Sequence, residues 1–362
     1  MKLKKLKITI LLFVISVVSC NEDESSENTN NFDVRALLEE VTINNVIVSV
    51  NEFQDQSESL SDAVEAYLGE MNEDNLLDVR NQWKSTALTY ASIYAFNIGD
   101  VRDQFFHQSL YNWPTLPNTI ESFIANNDEI NESFIMSISP QAKTLSGLEY
   151  LIYKDSLSTT NQEFLVSVNR QNYLRLIALE LKTQANRLLN VWQESGDNYA
   201  NVFANSQATG IEGSFNKLYN GLFNVIDTGK VTKIGKPAGL ENSENTNPEL
   251  TQAYFSNSSL DILKANILSI EEIYFNPNGI GISDYVFSVI RNDELNNAIK
   301  NKIDEVYNSI NAIPGPLFQS ITENPNEVAD LHKKLEELGI LFSVDVRSVL
   351  SIIITSTDND GD

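Results

Sequence analysis

The chain has one cysteine and two histidines among its 362 residues. That count excludes a disulfide framework, a zinc finger and any Cys/His-rich metal cluster. Positive charge is scarce as well. The 25 Lys and Arg stand against 50 Asp and Glu, for a formal net charge of −25, and Lys2, Lys4, Lys5 and Lys7 crowd into the first seven residues. So acidic a chain repels phosphate backbones, which excludes nucleic acid as a partner. No apolar run reaches the roughly 20 residues that a membrane-spanning helix needs. Alternating β-type runs are few, and the motifs H-E-x-x-H, G-x-S-x-G, G-x-x-x-x-G-K-[ST] and G-x-G-x-x-G are all missing, so the common hydrolase, metallopeptidase and nucleotide-binding constellations have no foothold.

What is present begins at the N-terminus. The four lysines precede a short apolar run, Ile8 to Val18, which is the pattern of an export signal over residues 1–19. The run closes in Val17-Val18-Ser19-Cys20, which resembles the lipobox of bacterial lipoproteins, and Cys20 is the sole cysteine. Acylation of Cys20 (palmitate and further chains) would tether the protein to a membrane, since each buried CH₂ contributes about 0.8 kcal/mol. An ordinary cleaved signal peptide is the plainer alternative. Residues 20–32 read as an acidic, self-repelling spacer, because Asn21 to Asn31 contains no apolar residue. Acidic residues directly after the cysteine resemble the surface-export signal of Bacteroidetes lipoproteins. The expected location is the cell envelope, anchored at the outer membrane, with periplasmic and outward orientations both open.

From residue 33 onward the periodicity is helical. Tyr173, Leu176, Ile177, Leu181, Leu188, Leu189 and Trp192 recur at three- and four-residue spacing. Similar stripes run through Asn75 to Phe96, Leu260 to Phe275 and Glu294 to Ile313. Val46 to Val50 and Ile352 to Ile354 are β-branched, but short runs without a pairing partner read better as buried helix. The fold class is therefore all-α. The Gly/Asn-rich stretch from Thr228 to Pro248 reads as a long loop that divides residues 33–362 into two packed helical bundles. The 43 asparagines burden helices, since Asn competes with the backbone for hydrogen bonds. They read as compositional bias rather than mechanism.

Few single residues point to chemistry. His107 and His332 read as solvated or capping side chains, and 225 residues of separation argue against a shared zinc site. Asp358-Asn359-Asp360-Gly361-Asp362 has the opening of a calcium loop without its closing Glu, and reads more plainly as an acidic tail.

Arg80-Asn81-Gln82-Trp83, Tyr111-Asn112-Trp113-Pro114, Thr144 to Tyr153, Lys233-Ile234-Gly235-Lys236-Pro237, Tyr254 to Ser259 and Asp360-Gly361-Asp362 follow one another in an order that resembles imelysin-like proteins. Those are helical, exported and often lipidated. The resemblance implies a G-x-H-x-x-E motif whose His and Glu grip a metal, at positions held here by Thr144, Ser146 and Glu149. Only Glu149 is retained as a metal ligand, and Tyr94 stands where a family Glu often lies. A hydroxyl is a poor ligand beside imidazole for zinc or ferrous iron. Glu149 is then either a ligand or a buried carboxylate satisfied by a Tyr, by Lys236 or by Arg102. Tyr94, Arg102, Trp113, Lys236 and Ser256 are the candidate cleft residues. Trp113-Pro114 reads as a packed turn, and Ser256, Ser258 and Ser259 as helix N-cap chemistry.

By resemblance, the implied role is an accessory lipoprotein in iron or haem acquisition, binding iron, another divalent metal or haem in an interdomain cleft and serving an outer-membrane transporter. A metal-free docking or structural partner of that transporter is the alternative. A degenerate metallopeptidase is a third reading, though no nucleophile or water-activating pair supports catalysis.

Overall fold

In the computed structural model, the structure describes residues 32–126 and 129–355. The export segment, Cys20, the spacer as far as residue 31 and the acidic tail from residue 356 lie outside them. From Phe32 on, the chain forms one compact unit. Among the described residues there is no strand, and no helix is long and apolar enough to cross a membrane.

The architecture is built from amphipathic helices: α1 (Val34–Val41), α2 (Val48–Gly69), α3 (Glu73–Ile93), α4 (Leu145–Tyr153), α5 (Val168–Trp192), α6 (Ser214–Thr228), α7 (Ser259–Phe275), α8 (Glu294–Ala312) and α9 (Pro325–Ile340). Local chemistry explains their starts. The Asn72 carboxamide accepts the Asn75 N–H at 2.8 Å and caps α3, whose first turn carries Glu73 and Asp74, where the helix dipole favours negative charge. Ser167 caps α5 in the same way through the Arg170 N–H.

Burial then decides the packing. Helix α2 packs against α3 and α5, and α3 against α4; the later part groups α6, α7, α8 and α9, and α3 also packs directly on α7. The faces that meet carry Phe53, Leu60, Trp83, Tyr173, Ile177, Leu222, Ile270, Ile303 and Leu335, all buried. Each such side chain contributes about 1.5–3 kcal/mol on burial, which outweighs the tenths of a kcal/mol that separate helix propensities.

The segment 228–248 differs from the loop expected there. A widened π-helical stretch (Gly229–Gly235) continues from α6, and one more helical turn follows, Lys236–Ala238. The glycine here serves close packing: a Cβ on Gly229 would lie 3.2 Å from Leu263 Cδ1. Pro237 falls where the helix restarts and needs no N–H. Only residues 239–247 are loop.

Val46 to Val50 is helical as expected, through a π-helical stretch (Thr42–Ile47) into α2. Ile352 to Ile354 is not helix. Ser351 turns the chain at φ +54°, and the next residues run extended along α6, held by side chains in place of a strand partner. Asn216 Oδ1 accepts the Ile353 N–H, its Nδ2 donates to the Ile353 carbonyl, and Asn220 Oδ1 accepts the Thr355 N–H. Asparagine has structural uses elsewhere too: Asn161, Asn266 and Asn296 are buried and bonded to Tyr67, to the Ala91 carbonyl and to Tyr274. Composition alone does not explain these positions.

Candidate functional site

Three of the five expected cleft residues meet. Tyr94, in the 3₁₀ turn after α3, Trp113, in the turn that precedes the short helix Pro117–Asn126, and Lys236, after the π-helical stretch, line one cavity of about 200 Å³ together with His107, Tyr111, Asn112, Thr228 and Thr232. Thr228, Thr232 and Lys236 share one face through the widened turn. Arg102 lines a different cavity, of about 330 Å³, with Lys217, Asn220 and Thr355. Ser256 faces Glu149 instead.

Glu149 is 2% exposed on α4. Its partner is neither Lys236 nor Arg102: the Ser256 backbone N–H donates to Oε1 at 2.7 Å. Burial pushes its carboxyl up to about 7, against hydrogen bonding from Ser256 and Phe255. Burial, and next the nearby Glu149 charge, push the Tyr111 phenol well above its usual value.

Thr144 and Ser146 are committed to holding the turn. Ser146 Oγ donates to the Asn112 carbonyl, and Thr144 Oγ1 accepts the Asn112 N–H at 3.1 Å. Gly147 permits this close seat, since a Cβ there would lie 2.3 Å from the Ala142 carbonyl oxygen. Trp83 Nε1 donates to the Leu145 carbonyl at 2.8 Å and anchors the first turn of α4. The expected serine caps of α7 are absent: Ser258 makes no side-chain capping bond, Ser256 gives its N–H to Glu149, and Ser259 donates to the Gln252 carbonyl.

Beneath the cleft lies a residue to which the sequence pattern alone assigns no role. Lys233 is buried, with Nζ donating to Asn266 Oδ1 and placed 5.8 Å from the Tyr94 ring centre and 5.6 Å from that of Trp113. Burial lowers its ammonium to about 7. His107 lines the cleft rather than standing in solvent. His332 pairs with Glu241 at 2.9 Å and pins the 239–247 loop to α9, away from the cleft lining. The four-residue spacing of Thr228, Thr232 and Lys236 is the sequence signal for this wall, masked by the loop-like Gly229, Gly235 and Pro237 around it.

The family's metal can be tested against these contacts. Ser146 and Glu149 do not form a His/Glu-type pair, because the serine hydroxyl already serves a backbone carbonyl. Among the described residues, no three His, Cys, Asp or Glu side chains converge as a metal-binding group. The Tyr111 hydroxyl, which feels the Glu149 charge, is hydrogen-bonded with the Gln252 side chain.

An all-helical protein with an aromatic, basic cleft is thus defined by its geometry. The imelysin family model matches residues 49–341, so the chain belongs to the imelysin family. Two solved structures share the fold at 17% identity. One, described as a putative iron-regulated protein A precursor from Parabacteroides distasonis ATCC 8503, has a TM-score of 0.74 over 87% of this chain and 94% of its own. The other, an imelysin-like protein from Psychrobacter arcticum 273-4, has a TM-score of 0.72 over 89% and 96%. No curated protein matches the chain.

Proposed function

We propose that this chain is a lipid-anchored accessory binding protein of the cell envelope that serves iron acquisition, and that its cleft takes a small anionic ligand. One observation carries the ligand class. In a chain with twice as many acidic as basic residues, the cleft is lined by His107 and Lys236 and by no carboxylate, with the Lys233 ammonium beneath it. Aromatic faces and hydroxyls complete the lining, a setting for carboxylate groups on a compact carbon frame. At about 200 Å³ the cavity suits a di- or tricarboxylate and is too small for haem. The fold relative described as iron-regulated supports the iron reading, and Cys20 supplies the anchor.

Titrating the full chain in detergent with citrate tests the cleft. Citrate is expected to raise the melting temperature, since a ligand at a hundredfold its Kd stabilises the native state by about 2.7 kcal/mol. Lys236→Ala is expected to weaken binding roughly tenfold, the effect of losing one charge-assisted hydrogen bond. No shift with millimolar citrate, succinate or malate would overturn the ligand class. Radiolabelled palmitate should enter the wild type and not Cys20→Ala.

A further inference from the structure

We propose that the groove between α7, the short helix Ile282–Ile290 and α8 docks a partner protein through a basic amphipathic helix, one whose large apolar side chains are flanked by Lys or Arg. The groove shares no lining residue with the cleft, so this surface stands whether or not the cleft takes an anion.

Helical spacing builds it. Leu268, Glu271, Glu272 and Phe275 stand at i, i+3, i+4 and i+7 on α7, and Asp293, Asn296, Asn297 and Lys300 repeat that spacing at the start of α8. Residues so spaced share one helix face. The three helices pack on one another, and the two faces, with Phe287 of the short helix, line about 770 Å³. Part of that lining is apolar and open: Leu268 is 47% and Phe287 43% exposed, with Phe275 partly buried beside them. Large apolar side chains gathered in a concave surface mark a contact site.

The rest of the lining is acidic. Glu271, Glu272, Asp284 and Asp293 stand there, and among the described residues Lys300 is the only base in the lining. Its ammonium is already held by Glu271 at 2.6 Å and Asp304 at 3.3 Å. Asp284 accepts the Gly281 N–H at 2.9 Å. Burial, then the Glu271 and Glu52 charges, raise the Glu272 carboxyl above its usual value. Both neighbouring charges are of its own sign, so a cation brought from outside relieves the crowding. A bare metal ion would leave the apolar residues wet, and a neutral apolar ligand would leave the carboxylates unpaired. A basic amphipathic helix meets both needs, with its apolar stripe on Leu268, Phe275 and Phe287 and its cations on Glu272 and Asp293. The face of α7 from 268 to 275 spans roughly 10 Å at 1.5 Å per residue, which fits a contact of about two turns, small and transient.

Residues 32–362 form one compact unit, which allows a test without detergent. The probe is a fluorescent peptide of leucine and lysine at helical spacing, about 14 residues or four turns long, followed by anisotropy. Micromolar binding is expected, weakening severalfold as salt rises. Phe287→Ser and Leu268→Ser, both at exposed positions, should each lose roughly fivefold in affinity while keeping the wild-type melt, and the double variant Glu272→Gln, Asp293→Asn about as much. A peptide with glutamate in place of lysine should not bind. Equal binding to wild type and Phe287→Ser would mean that the peptide rides on general negative charge, and would overturn the surface. Binding of the glutamate peptide would refute the charge pairing on which the choice of partner depends. Absence of lysine-peptide binding, or adsorption to phosphatidylcholine vesicles that Phe287→Ser abolishes, would rule out a protein helix as the occupant.

Discussion

The stabilising contributions of Glu149 and Lys233, read as differences between wild type and the variants Glu149→Gln and Lys233→Met, are expected to make unfolding free energy lowest near neutral pH. The Glu149 carboxyl rises from 4.5 to about 7 and the Lys233 ammonium falls from 10.5 to about 7, both because burial disfavours charge. Between pH 4.5 and 7 the native state holds the Glu149 proton more tightly than the unfolded chain, so stability falls as pH rises. Between pH 7 and 10.5 the unfolded chain holds the Lys233 proton more tightly, so stability rises with pH. At about 1.4 kcal/mol per pKa unit, the Glu149 arm is worth roughly 3 kcal/mol and the Lys233 arm roughly 5 kcal/mol. Glu149→Gln should remove the acid arm and Lys233→Met the alkaline arm in urea unfolding at a series of pH values. Parallel profiles for wild type and both variants would show that neither group is desolvated as its burial indicates.

Trp83→Ala is expected to cost about 3–5 kcal/mol, the range for deleting a buried Trp or Phe, which is a large share of the 5–15 kcal/mol that a domain possesses. Trp83 is fully buried and packs edge-on to Tyr111 and Tyr153 at 6.4 and 5.5 Å between ring centres. Its indole N–H is also the partner of the Leu145 carbonyl, which the deletion leaves unmet. Trp83→Phe keeps much of the packing and loses only the donor, so it should fall between the two. Both should weaken citrate binding, because Tyr111 and the start of α4 shape the cleft. A loss below about 1 kcal/mol for Trp83→Ala would mean that the site collapses to fill the space, and that the indole is not the brace of α4.

Much of the fold is legible along the chain, and for a physical reason. The long helices α3, α5, α7 and α8 carry apolar residues at helical spacing over many turns, and their observed bounds fall within a few residues of those stripes. The misreadings cluster where tertiary contacts override local preference. Gly229, Gly235 and Pro237 look like loop punctuation, yet close approach of Leu263 to Gly229 and helical continuation through the π turn absorb them. Ile352 to Ile354 has no strand partner in sequence because its partners are the side chains of Asn216 and Asn220, more than 130 residues earlier. The site was legible in part. Tyr94, Trp113 and Lys236 do converge, whereas the pairing of Glu149 with a backbone N–H cannot be read from residue types, since any residue at position 256 other than proline supplies that donor. Lys233 and Lys236 both stood in plain view. Their opposite fates, one sealed and one lining the cleft, follow from the widened helix.

That widening has a consequence for how the chain tolerates insertion and deletion. Within Gly229–Gly235 the Lys236 N–H bonds five residues back, to the Val231 carbonyl, so the stretch contains about one residue more than an α-helix of equal length requires. Removing a single residue there would restore the regular ladder and improve local helix geometry. It would also rotate everything downstream by about 100°, the angular step of one helical residue, and swing Lys236 out of the cleft. A deletion that a propensity scale scores as harmless would thus disconnect the basic wall from the pocket it lines, which makes the length of this turn, more than its composition, the quantity the site depends on.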